Sequence, residues 1–525
     1  MYKLSTLLTV AALSLLAPAP PALHAQTLEL NDVRNVRTAG SGAITRGDEV
    51  LGYFNMYQLD KQGGEATYSL QLLDADLNVL QKKRLTRDKG TVALGAKFNG
   101  EAICLTLINP RDRTVELLTY DTQGERLGSK KFELDRKAYT SMAMTYNWGE
   151  EDGAVTMVRP VDGGRGFVFY LPTHDKGIGY DLYMLPNSLR QREGGWKRAS
   201  VAKRGKFQSA ANLLASEQVI LTTVLGVDSR MAPGKAVALL EARSTEDGNL
   251  LFTMVPGKSG LAVTNAVYEP ATETVLLGGN YFGRGANVNK DRSEGVFLQR
   301  VDLAGEKLER ARVSWDRAFA KVGRAETEHL KRGGSIYLHR VLPAADGGMV
   351  AVGEYYDQEV SALGVASQLM GGGSGGASVK KIVVQDLFAL TFDGALEFAD
   401  ARMYPKAQSS VELPAGAAVV SPARLAAFVD LYDGFDYAYS QSVPDRDALL
   451  VAYTTRERQD GKMLRQPKLK LVTTYGDEAD ATEATVDLRT DATWVSYEPA
   501  KAGYVMVGEY HRKDKRMAYR LERVD

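Results

Sequence analysis

The chain has 525 residues, with 65 Lys or Arg, 65 Asp or Glu and a formal net charge of zero at pH 7. That balance argues against a nucleic-acid-binding surface, which would need a clear basic excess. A single cysteine, Cys104, means that no intramolecular disulfide can form, so the fold must be stabilised by its own core. Cys104 lies in the apolar run AICLTLI, where we expect a buried, unreactive thiol.

The N-terminal residues are typical of a secretory signal peptide. Lys3 is the only charge before an apolar run of 14 residues, from Leu4 to Ala17, and Ala25 is a small residue suited to the position before a cleavage. A helix needs about 20 apolar residues to cross a bilayer, so this run is too short. We therefore predict a signal peptide over residues 1–25, a mature chain of residues 26–525 without a membrane span, and export to the periplasm or the cell exterior.

A strand-like phrase occurs twice, as VAVGEYYD at residues 350–357 and as VMVGEYHR at residues 505–512. Each copy belongs to a wider pattern. A short apolar strand ends in Gly and an aromatic residue, a polar loop follows, and two further strands are separated by a turn such as Asp-x-x-Gly. The Gly-aromatic strands begin near residues 49, 101, 153, 217, 273, 347, 447 and 503. A repeat of about 50 residues with about four strands is typical of a β-propeller blade.

The repeats predict an all-β fold, a single β-propeller with eight four-stranded blades. The alternative count is seven blades, if the weak third copy, residues 154–172, is not a blade. The long interval before residue 447 leaves room for a ninth blade. The last copy supplies only three strands, over residues 492–524. The segment LELNDVRNVRT, residues 28–38, is a spare strand that would complete that blade and remove the exposed edges of an open ring.

Elaborations of the repeat are predicted on one face of the ring. Short helical insertions are expected near residues 316–331 and 421–432, and long loops over residues 281–294 and 357–380. The joints between blades and the loops between second and third strands share one face of a propeller, so all four elaborations fall there. Loops on a rigid scaffold commonly carry function, and we expect this face to bind the partner.

No catalytic, metal or cofactor motif occurs in the context that its chemistry requires. The Gly-rich loop GGGSGG, residues 371–376, formally matches a phosphate-binding loop and a serine nucleophile turn, but both need a strand before and a helix after, and here the order is inverted. Glu326 and His329 are spaced to share a helix face, and the aspartates of DLYDGFDY, residues 430–437, could contact calcium or a sugar. We predict instead a flexible loop, a solvent-facing pair and a capped helix end, with no metal or cofactor.

Aromatic and acidic residues recur where the second strand of a blade is predicted to end. Tyrosines take this place in blades one, five, six, seven and eight, an unbroken arc of the ring: Tyr53, Tyr281, Tyr355, Tyr453 and Tyr510. Further polar and aromatic residues adjoin two of them: Glu354, Tyr356, Asp357, Glu509 and His511. Each Tyr could simply pack on the neighbouring blade. Alternatively, these residues form a ligand-binding arc that stacks on a sugar or grips a peptide, with Glu354 and Glu509 as an acid/base pair if one pKa is raised.

The repeat units, with Gly-x-Tyr at one strand end and Leu-Asp-x-x-Gly at the next turn, resemble secreted bacterial propeller-like proteins of unassigned function. The double glycine of LLGGNYF, residues 276–282, resembles a kelch-type blade. The spaced Tyr and Trp of kelch repeats and the Trp-Asp pairs of WD blades are missing. The resemblance therefore implies a propeller fold and carries no activity with it.

Two functions fit these observations. The first is an exported, non-enzymatic binding or scaffold protein that docks a protein, peptide or glycan on its insertion-rich face. The second is an envelope glycan or peptide hydrolase or lyase that uses carboxylates in the propeller funnel. A purely structural role in the envelope is a third. None of the three involves nucleic acid.

Overall fold

The repeated strands assemble into eight antiparallel blades around a ring, as the sequence predicts. The computed structural model describes residues 27–46, 49–140, 158–173, 179–199, 207–227, 237–288, 291–328, 330, 334–344, 346–360, 380–412, 426, 429, 434–443, 448–456, 458–459, 462–463, 468–475, 483–487 and 490–524. Within these ranges no helix is long and apolar enough to cross a membrane.

The first four blades follow one another along the chain. Blade one consists of β2 (Asn35–Arg46), β3 (Glu49–Gln62), β4 (Glu65–Asp74) and β5 (Val79–Asp88); blade two of β6 (Val92–Phe98), β7 (Ala102–Asn109), β8 (Thr114–Asp121) and β9 (Arg126–Glu133). Blade three consists of β10 (Val158–Val161), β11 (Gly166–Thr173), β12 (Gly179–Leu185) and β13 (Trp196–Ala199); blade four of β14 (Phe207–Ala215), β15 (Val219–Val227), β16 (Val237–Ser244) and β17 (Leu250–Met254).

The next three blades carry the elaborations. Blade five consists of β18 (Leu261–Glu269), β19 (Thr274–Tyr281), β20 (Gly295–Asp302) and β21 (Lys307–Ser314). Blade six consists of β22 (Ser335–Pro343), β23 (Met349–Val360), β24 (Lys380–Phe392) and β25 (Phe398–Tyr404), with β26 (Ser409–Glu412) added beside β24. Blade seven consists of β27 (Tyr437–Val443), β28 (Ala448–Thr455), β31 (Lys468–Tyr475) and β32 (Glu483–Asp487), with a small hairpin of β29 (Arg458–Gln459) and β30 (Lys462–Met463).

Blade eight closes the ring with strands from both ends of the chain. It consists of β33 (Trp494–Pro499), β34 (Tyr504–His511), β35 (Arg516–Arg523) and β1 (Thr27–Leu30). β1 pairs antiparallel with β35, from Thr27 opposite Arg520 to Leu30 opposite Met517. The predicted closure by the N-terminal segment is therefore confirmed, but only residues 27–30 perform it. Residues 31–34 form a connection and residues 35–38 already belong to β2, the first strand of blade one, so the repeat that begins near residue 49 starts at a second strand.

One turn is built in the same way in four blades. It joins the third strand to the fourth, and an Asp Oδ1 at its start accepts the backbone N–H groups two and four residues later. At Asp302 these are Ala304 at 2.9 Å and Glu306 at 2.7 Å, and the same pattern recurs at Asp74, Asp121 and Asp393. The residue three positions after the Asp adopts positive φ. Gly305 does so at 85°, and in two copies a buried leucine, Leu77 or Leu396, occupies the position instead.

The glycine of the VGEY phrase has a steric cause. A Cβ at Gly353 would lie 2.3 Å from the carbonyl oxygen of Tyr337, and one at Gly508 would lie 2.6 Å from Ser496 Oγ. At Gly353 the backbone of the first strand leaves no room for a side chain, whereas at Gly508 the space is filled by side chains of the first and third strands, Ser496, Met517 and Tyr519. Both copies of the phrase therefore place glycine where neighbouring strands leave no room for a Cβ.

The core consists of apolar layers between adjacent blades, as the ring of sheets requires. One layer joins blades five and six around Leu298, Tyr355 and Phe388, and another closes the ring between blades eight and one around Tyr53, Met506 and Tyr519. Cys104 is fully buried in the layer between blades two and three, and burial strongly raises the pKa of its thiol. The second strands β7 and β19 are buried along their whole length, whereas the outermost strand β5 is largely exposed.

The helical insertion after blade five is shorter than the predicted span of residues 316–331. It consists of α1 (Trp315–Val322) and α2 (Arg324–Thr327), because Gly323 between them adopts a φ of 118°. Ser314 Oγ caps α1 by accepting the backbone N–H of Arg317 at 3.2 Å. Other helical turns in the described ranges cover residues 136–140 and the 3₁₀ segments Asp162–Gly164, Gln191–Glu193 and Pro256–Ser259.

Two other predicted elaborations fall largely or wholly outside the described residues. Of the helix predicted at residues 421–432, only 426 and 429 are described, and both are helical. The Gly-rich loop at residues 371–376 lies outside the described ranges, as does His329. The strands that lead to and from that loop, β23 and β24, are long at 12 and 13 residues.

Candidate functional site

The five tyrosines of the predicted arc are buried in the layers between blades. Tyr281 lies between blades four and five, Tyr355 between five and six, Tyr453 between six and seven, and Tyr53 and Tyr510 between eight and one. All are on second strands, although only Tyr281 is the final residue of its strand. This placement accounts for each ring as packing on the neighbouring blade, and the ligand-binding role assigned to the arc stays a prediction.

Some of these hydroxyls also make specific hydrogen bonds. Tyr355 Oη accepts the backbone N–H of Gly334 at 2.9 Å, and a Cβ on that glycine would lie only 2.1 Å from the same oxygen. Burial raises the pKa of Tyr355 to about 12. Tyr356 is buried in a separate cluster near Phe435, with ring centroids 6.3 Å apart, and half-buried Asp357 accepts the backbone N–H of Gln358 at 2.7 Å.

Glu354 is fully buried at the centre of a charge network between blades six and seven. Its Oε1 lies 3.1 Å from Lys406 Nζ, and its Oε2 lies 3.0 Å from His339 Nε2. Oε2 also accepts the backbone N–H groups of Asp436 and Tyr437, each at 3.0 Å. Burial alone would raise the pKa of this carboxyl, but Lys406 and His339 outweigh it, and the pKa lies below its ordinary value.

Neighbouring groups complete the network and hold His339 in place. Lys406 also pairs with Asp436 Oδ2, which accepts the hydroxyl of Ser409 at 2.7 Å. The imidazole of His339 stacks on Tyr437 with ring centroids 4.7 Å apart and an interplanar angle of 5°. Burial alone would lower the pKa of Lys406, but Glu354 and Asp436 raise it. Each charge in the network therefore has a partner of opposite sign within it. The network is closed to solvent except at the Asp436 side chain, which is 21% exposed.

Glu509 belongs to a different network in blade eight. Its Oε1 lies 2.5 Å from Arg520 Nη1, and its Oε2 lies 3.9 Å from His511 Nε2. His511 Nδ1 lies 3.2 Å from Asp491, whose side chain is 93% exposed. Blade seven separates this network from that of Glu354. The structure therefore does not bring the two glutamates together as an acid/base pair.

A second group of charges, which the sequence analysis did not identify, lies in the central channel. Lys97, Arg159, Arg340 and Glu498 are on the first strands of blades two, three, six and eight. Arg340 is exposed and the other three side chains are half-buried. Burial is the largest influence on the pKa of each of these three.

The four channel charges interact across the ring. Burial lowers the pKa of Lys97, Glu498 opposes that shift, and Arg340 and Arg159 reinforce it. Blades two and six are on opposite sides of an eight-blade ring, so the coupling of Lys97 with Arg340 spans the axis. Burial raises the pKa of Glu498 to about 7, with Lys97 acting in the other direction, and burial followed by Arg340 lowers that of Arg159 to about 10.

Tyrosines from three blades surround Glu498. After burial itself, the negative charge of Glu498 contributes to the raised pKa of Tyr53, Tyr439 and Tyr519. The hydroxyls of Tyr53 and Tyr439 are buried and make no hydrogen bond within the described part of the chain. Buried hydroxyls are normally satisfied, so these two mark a place where a polar partner is missing.

Sequence reasoning missed the channel charges because it aligned the repeats on their second strands. Lys97 and Glu498 are each the penultimate residue of a first strand, and Arg159 and Arg340 lie within the last few residues of theirs. Aligning the first strands in the same way would have placed all four toward the same end of the channel. In the described ranges, no cluster of three or more His, Cys, Asp or Glu side chains could hold a metal ion.

Comparison with protein families gives one match, which spans residues 4–525: a family of unknown function, DUF6770. The chain belongs to this family. A search of curated proteins finds no match.

Solved structures similar to this DUF6770 chain share little of its sequence. The polysaccharide lyase Uly1 is 9% identical, with 82% of this chain and 89% of that chain covered and a TM-score of 0.41. The quinohemoprotein alcohol dehydrogenase ADHIIG from Pseudomonas putida HK5 is 10% identical, with coverage of 95% and 76% and a TM-score of 0.41. A protein of unknown function from Dyadobacter fermentans DSM 18053 is 10% identical, with coverage of 95% and 100% and a TM-score of 0.31. At these values none of them bears on the activity of this chain.

Proposed function

We propose that this protein is an exported, non-enzymatic binding or scaffold propeller that docks a protein, peptide or glycan on its insertion-rich face. That face carries the described loop residues 282–288 and 291–294, the helices α1 and α2, and the ends of the long strands β23 and β24. The turns on the opposite face are mostly short, such as residues 99–101 and 270–273. Elaboration of one face on a regular scaffold is the pattern expected of a docking surface.

The observation that carries the proposal is the engagement of Glu354 and Glu509 in separate ion-pair networks. A carboxylate pair that cleaves a glycosidic bond needs one carboxyl protonated near neutral pH and the second within several ångströms. Glu354 has a lowered pKa and four polar contacts, and Glu509 pairs with Arg520 in another blade. Both carboxylates are thus engaged within the fold, which favours a binding role over cleavage by this pair.

The proposal is tested with a panel of envelope glycan fragments and peptides immobilised on an array. The test variant is Arg284→Glu with Lys321→Glu, two exposed cations of the insertion-rich face. The control is Arg126→Glu with Lys307→Glu, two exposed cations at the start of outer strands near the opposite face. We expect the first variant to weaken binding of a charged partner by about tenfold and the control to leave it within twofold. Equal effects of both variants, or cleavage of any array member, would overturn the proposal.

A glycan or peptide hydrolase or lyase remains the second candidate, and one observation favours it. Glu498 is a carboxyl in the funnel with a pKa raised to about 7, the range suited to a general acid or base. The groups coupled to it are Lys97 and tyrosine hydroxyls rather than a second carboxylate. Turnover of any array member that disappears in Glu498→Gln would establish this candidate.

A further inference from the structure

We propose that His339 is a pH-sensitive switch that controls how firmly the connection between blades six and seven is attached to blade six. With its proton, His339 completes the buried charge network around Glu354. Without that proton, the network carries an uncompensated negative charge and the connection loosens. The switch concerns the connection itself and holds whatever the insertion-rich face binds.

The first argument is that both ends of the connection converge on one side chain. The connection leaves β25 after Tyr404 and enters β27 at Tyr437. Near its start, Lys406 Nζ lies 3.1 Å from Glu354 Oε1. At its end, the backbone N–H groups of Asp436 and Tyr437 donate to Glu354 Oε2, each at 3.0 Å. Glu354 thus attaches both ends of the connection to β23, and a change of charge beside it acts on both.

The second argument is the charge of the network. Glu354 and Asp436 contribute two negative charges when ionised, and Lys406, which contacts both, contributes one positive charge. A proton on His339, whose Nε2 lies 3.0 Å from Glu354 Oε2, brings the sum from −1 to zero. The side chains of Glu354 and Lys406 are 0% exposed and that of His339 is 2% exposed, so solvent screens an excess charge poorly. An uncompensated charge in such a place is costly, and the folded protein therefore favours the imidazolium.

The third argument is the set of aromatic rings around His339. Its imidazole stacks on Tyr437 with centroids 4.7 Å apart, and it packs edge to face with Phe435 at 4.9 Å and Tyr337 at 5.2 Å. Stacking on an aromatic face stabilises a cation, which favours the charged imidazole. Phe435 and Tyr437 belong to the end of the connection that enters blade seven, so His339 contacts that end directly as well as through Glu354.

Histidine is the residue type at this site that ordinarily changes charge between about pH 5 and pH 8. The other titratable groups that face it are Asp386 of β24, which accepts the backbone N–H of Lys406 at 3.0 Å, and the tyrosines Tyr337, Tyr356, Tyr437 and Tyr453. Burial raises the pKa of Tyr356 and of Tyr453 above the ordinary value of 10.0. The stability of the attachment is therefore fully present below about pH 6.5, the ordinary value for histidine, and is lost as the pH rises through the higher value in the folded chain.

Side-chain NMR of protein that contains carbon-13-labelled histidine measures the charge of His339, and its signal is assigned by its absence from His339→Gln. We expect His339 to remain charged at about pH 7.5, where an unperturbed histidine is about nine-tenths neutral. Asp436→Asn removes one negative charge from the network, so His339 should lose its proton at a lower pH in this variant. If His339→Gln does not fold, the signal that moves in Asp436→Asn but not in His511→Gln identifies His339.

Hydrogen exchange of the peptide that contains residues 434–437 measures the attachment. His339→Gln keeps a donor for Glu354 but carries no charge, and comparison with wild type at the same pH cancels the intrinsic dependence of exchange on pH. At about pH 6 this peptide should exchange about tenfold more slowly in wild type than in His339→Gln, since a charged hydrogen bond contributes about that factor. At about pH 9 the two rates should be nearly equal, because His339 is then neutral. His511→Gln, which changes a histidine of blade eight, should match wild type at both values.

The proposal fails if His339 is neutral at pH 7.5, if Asp436→Asn leaves its titration unchanged, or if wild type and His339→Gln differ equally at pH 6 and pH 9. An effect of His511→Gln on this peptide as large as that of His339→Gln would also overturn it. A partner could still dock on the insertion-rich face in each of these cases, so the switch and the docking function are tested separately.

Discussion

The hydroxyl of Tyr510 donates a hydrogen bond to the backbone carbonyl of Arg34 at 2.7 Å, across the interface at which the two ends of the chain meet. The same hydroxyl lies 3.1 Å from the carbonyl of Val33, between β1 and β2. Tyr510 therefore fixes the segment that leads from the last blade into the first.

Tyr510→Phe should destabilise the protein by about 1–2 kcal/mol, because it removes these hydrogen bonds from the interface. The measurement is chemical denaturation followed by fluorescence. Tyr53→Phe is the matched control, since Tyr53 lies in the same apolar layer and its hydroxyl makes no hydrogen bond in the described structure. That control should be neutral or slightly stabilising. If the Tyr510 variant is as stable as the Tyr53 variant, the Tyr510 hydroxyl does not stabilise the contact between blades eight and one.

The buried network around Glu354 predicts a large effect of removing one charge. Lys406→Met leaves Glu354 and Asp436 without their cation and should cost about 3–5 kcal/mol. Lys83→Met removes a cation of an exposed pair with Glu125, and it should cost less than about 1 kcal/mol. Denaturation midpoints of the two variants compare the two sites directly, and similar midpoints would contradict the network described here.

The lowered pKa of Glu354 also predicts a dependence of stability on acid. A carboxyl with a folded-state pKa below its ordinary value of 4.5 contributes stability that is fully present above that value and is lost as the pH falls through the folded pKa. Denaturation between pH 6 and pH 3 should therefore show a steeper acid loss in wild type than in Glu354→Gln. The expectation is wrong if the two slopes are parallel across that interval.

Glu498 predicts a pH dependence of stability with the opposite sign to that of Glu354. Its pKa is raised from 4.5 to about 7, so the folded state holds an extra proton between these values and the free energy of unfolding falls as the pH rises through this window. The groups that face it are Lys97, Tyr53, Tyr439 and Tyr519, with Arg340 and Arg159 beyond Lys97. Glu498→Gln should flatten the stability profile between pH 5 and pH 8, and an unchanged profile would show that Glu498 has an ordinary pKa.

The repeated Asp turn allows a local test of the blade. Asp302→Ala removes the acceptor of two backbone N–H groups and should destabilise the protein by about 1–2 kcal/mol. Glu306→Ala changes an exposed side chain in the same turn and leaves the backbone bonds in place, so it should have little effect. Equal costs for both variants, measured by thermal unfolding, would mean that the carboxylate does not hold the turn.

The blade could be predicted from the sequence because its determinants are local. Gly353 and Gly508 mark close approaches within a blade, and Asp302 begins a turn four residues long, so each signal survives in a short window. Leu77 and Leu396 hide two of these turns, because a buried leucine takes the left-handed position that glycine normally occupies. The turn is then recognisable only from its Asp.

The channel charges could not be predicted in the same way, because they come from blades that are far apart in the sequence and are brought together only when the ring closes. Lys97 and Arg340 are near each other only after eight blades have closed, and no window of sequence contains both. The pattern that identified the tyrosines, a Tyr near the end of a second strand, is also what packing between blades produces, so it does not by itself distinguish a ligand site from a core position. Charges on first strands carry more information about a propeller axis than aromatics on second strands.

The division of blade eight between residues 27–30 and 494–523 has a consequence for how the protein reaches its native state. β1 is synthesised early and stays unpaired until its partner strand β35, residues 516–523, has been synthesised. During that interval the face of blade one that blade eight will cover and the free strand are both open to other molecules. Two copies that are caught at this stage can exchange β1 and form a domain-swapped dimer at little cost, since every native contact is preserved. Closure by β1 therefore makes the protein prone to domain swapping when many incompletely folded chains are close together, even though the finished ring is well packed.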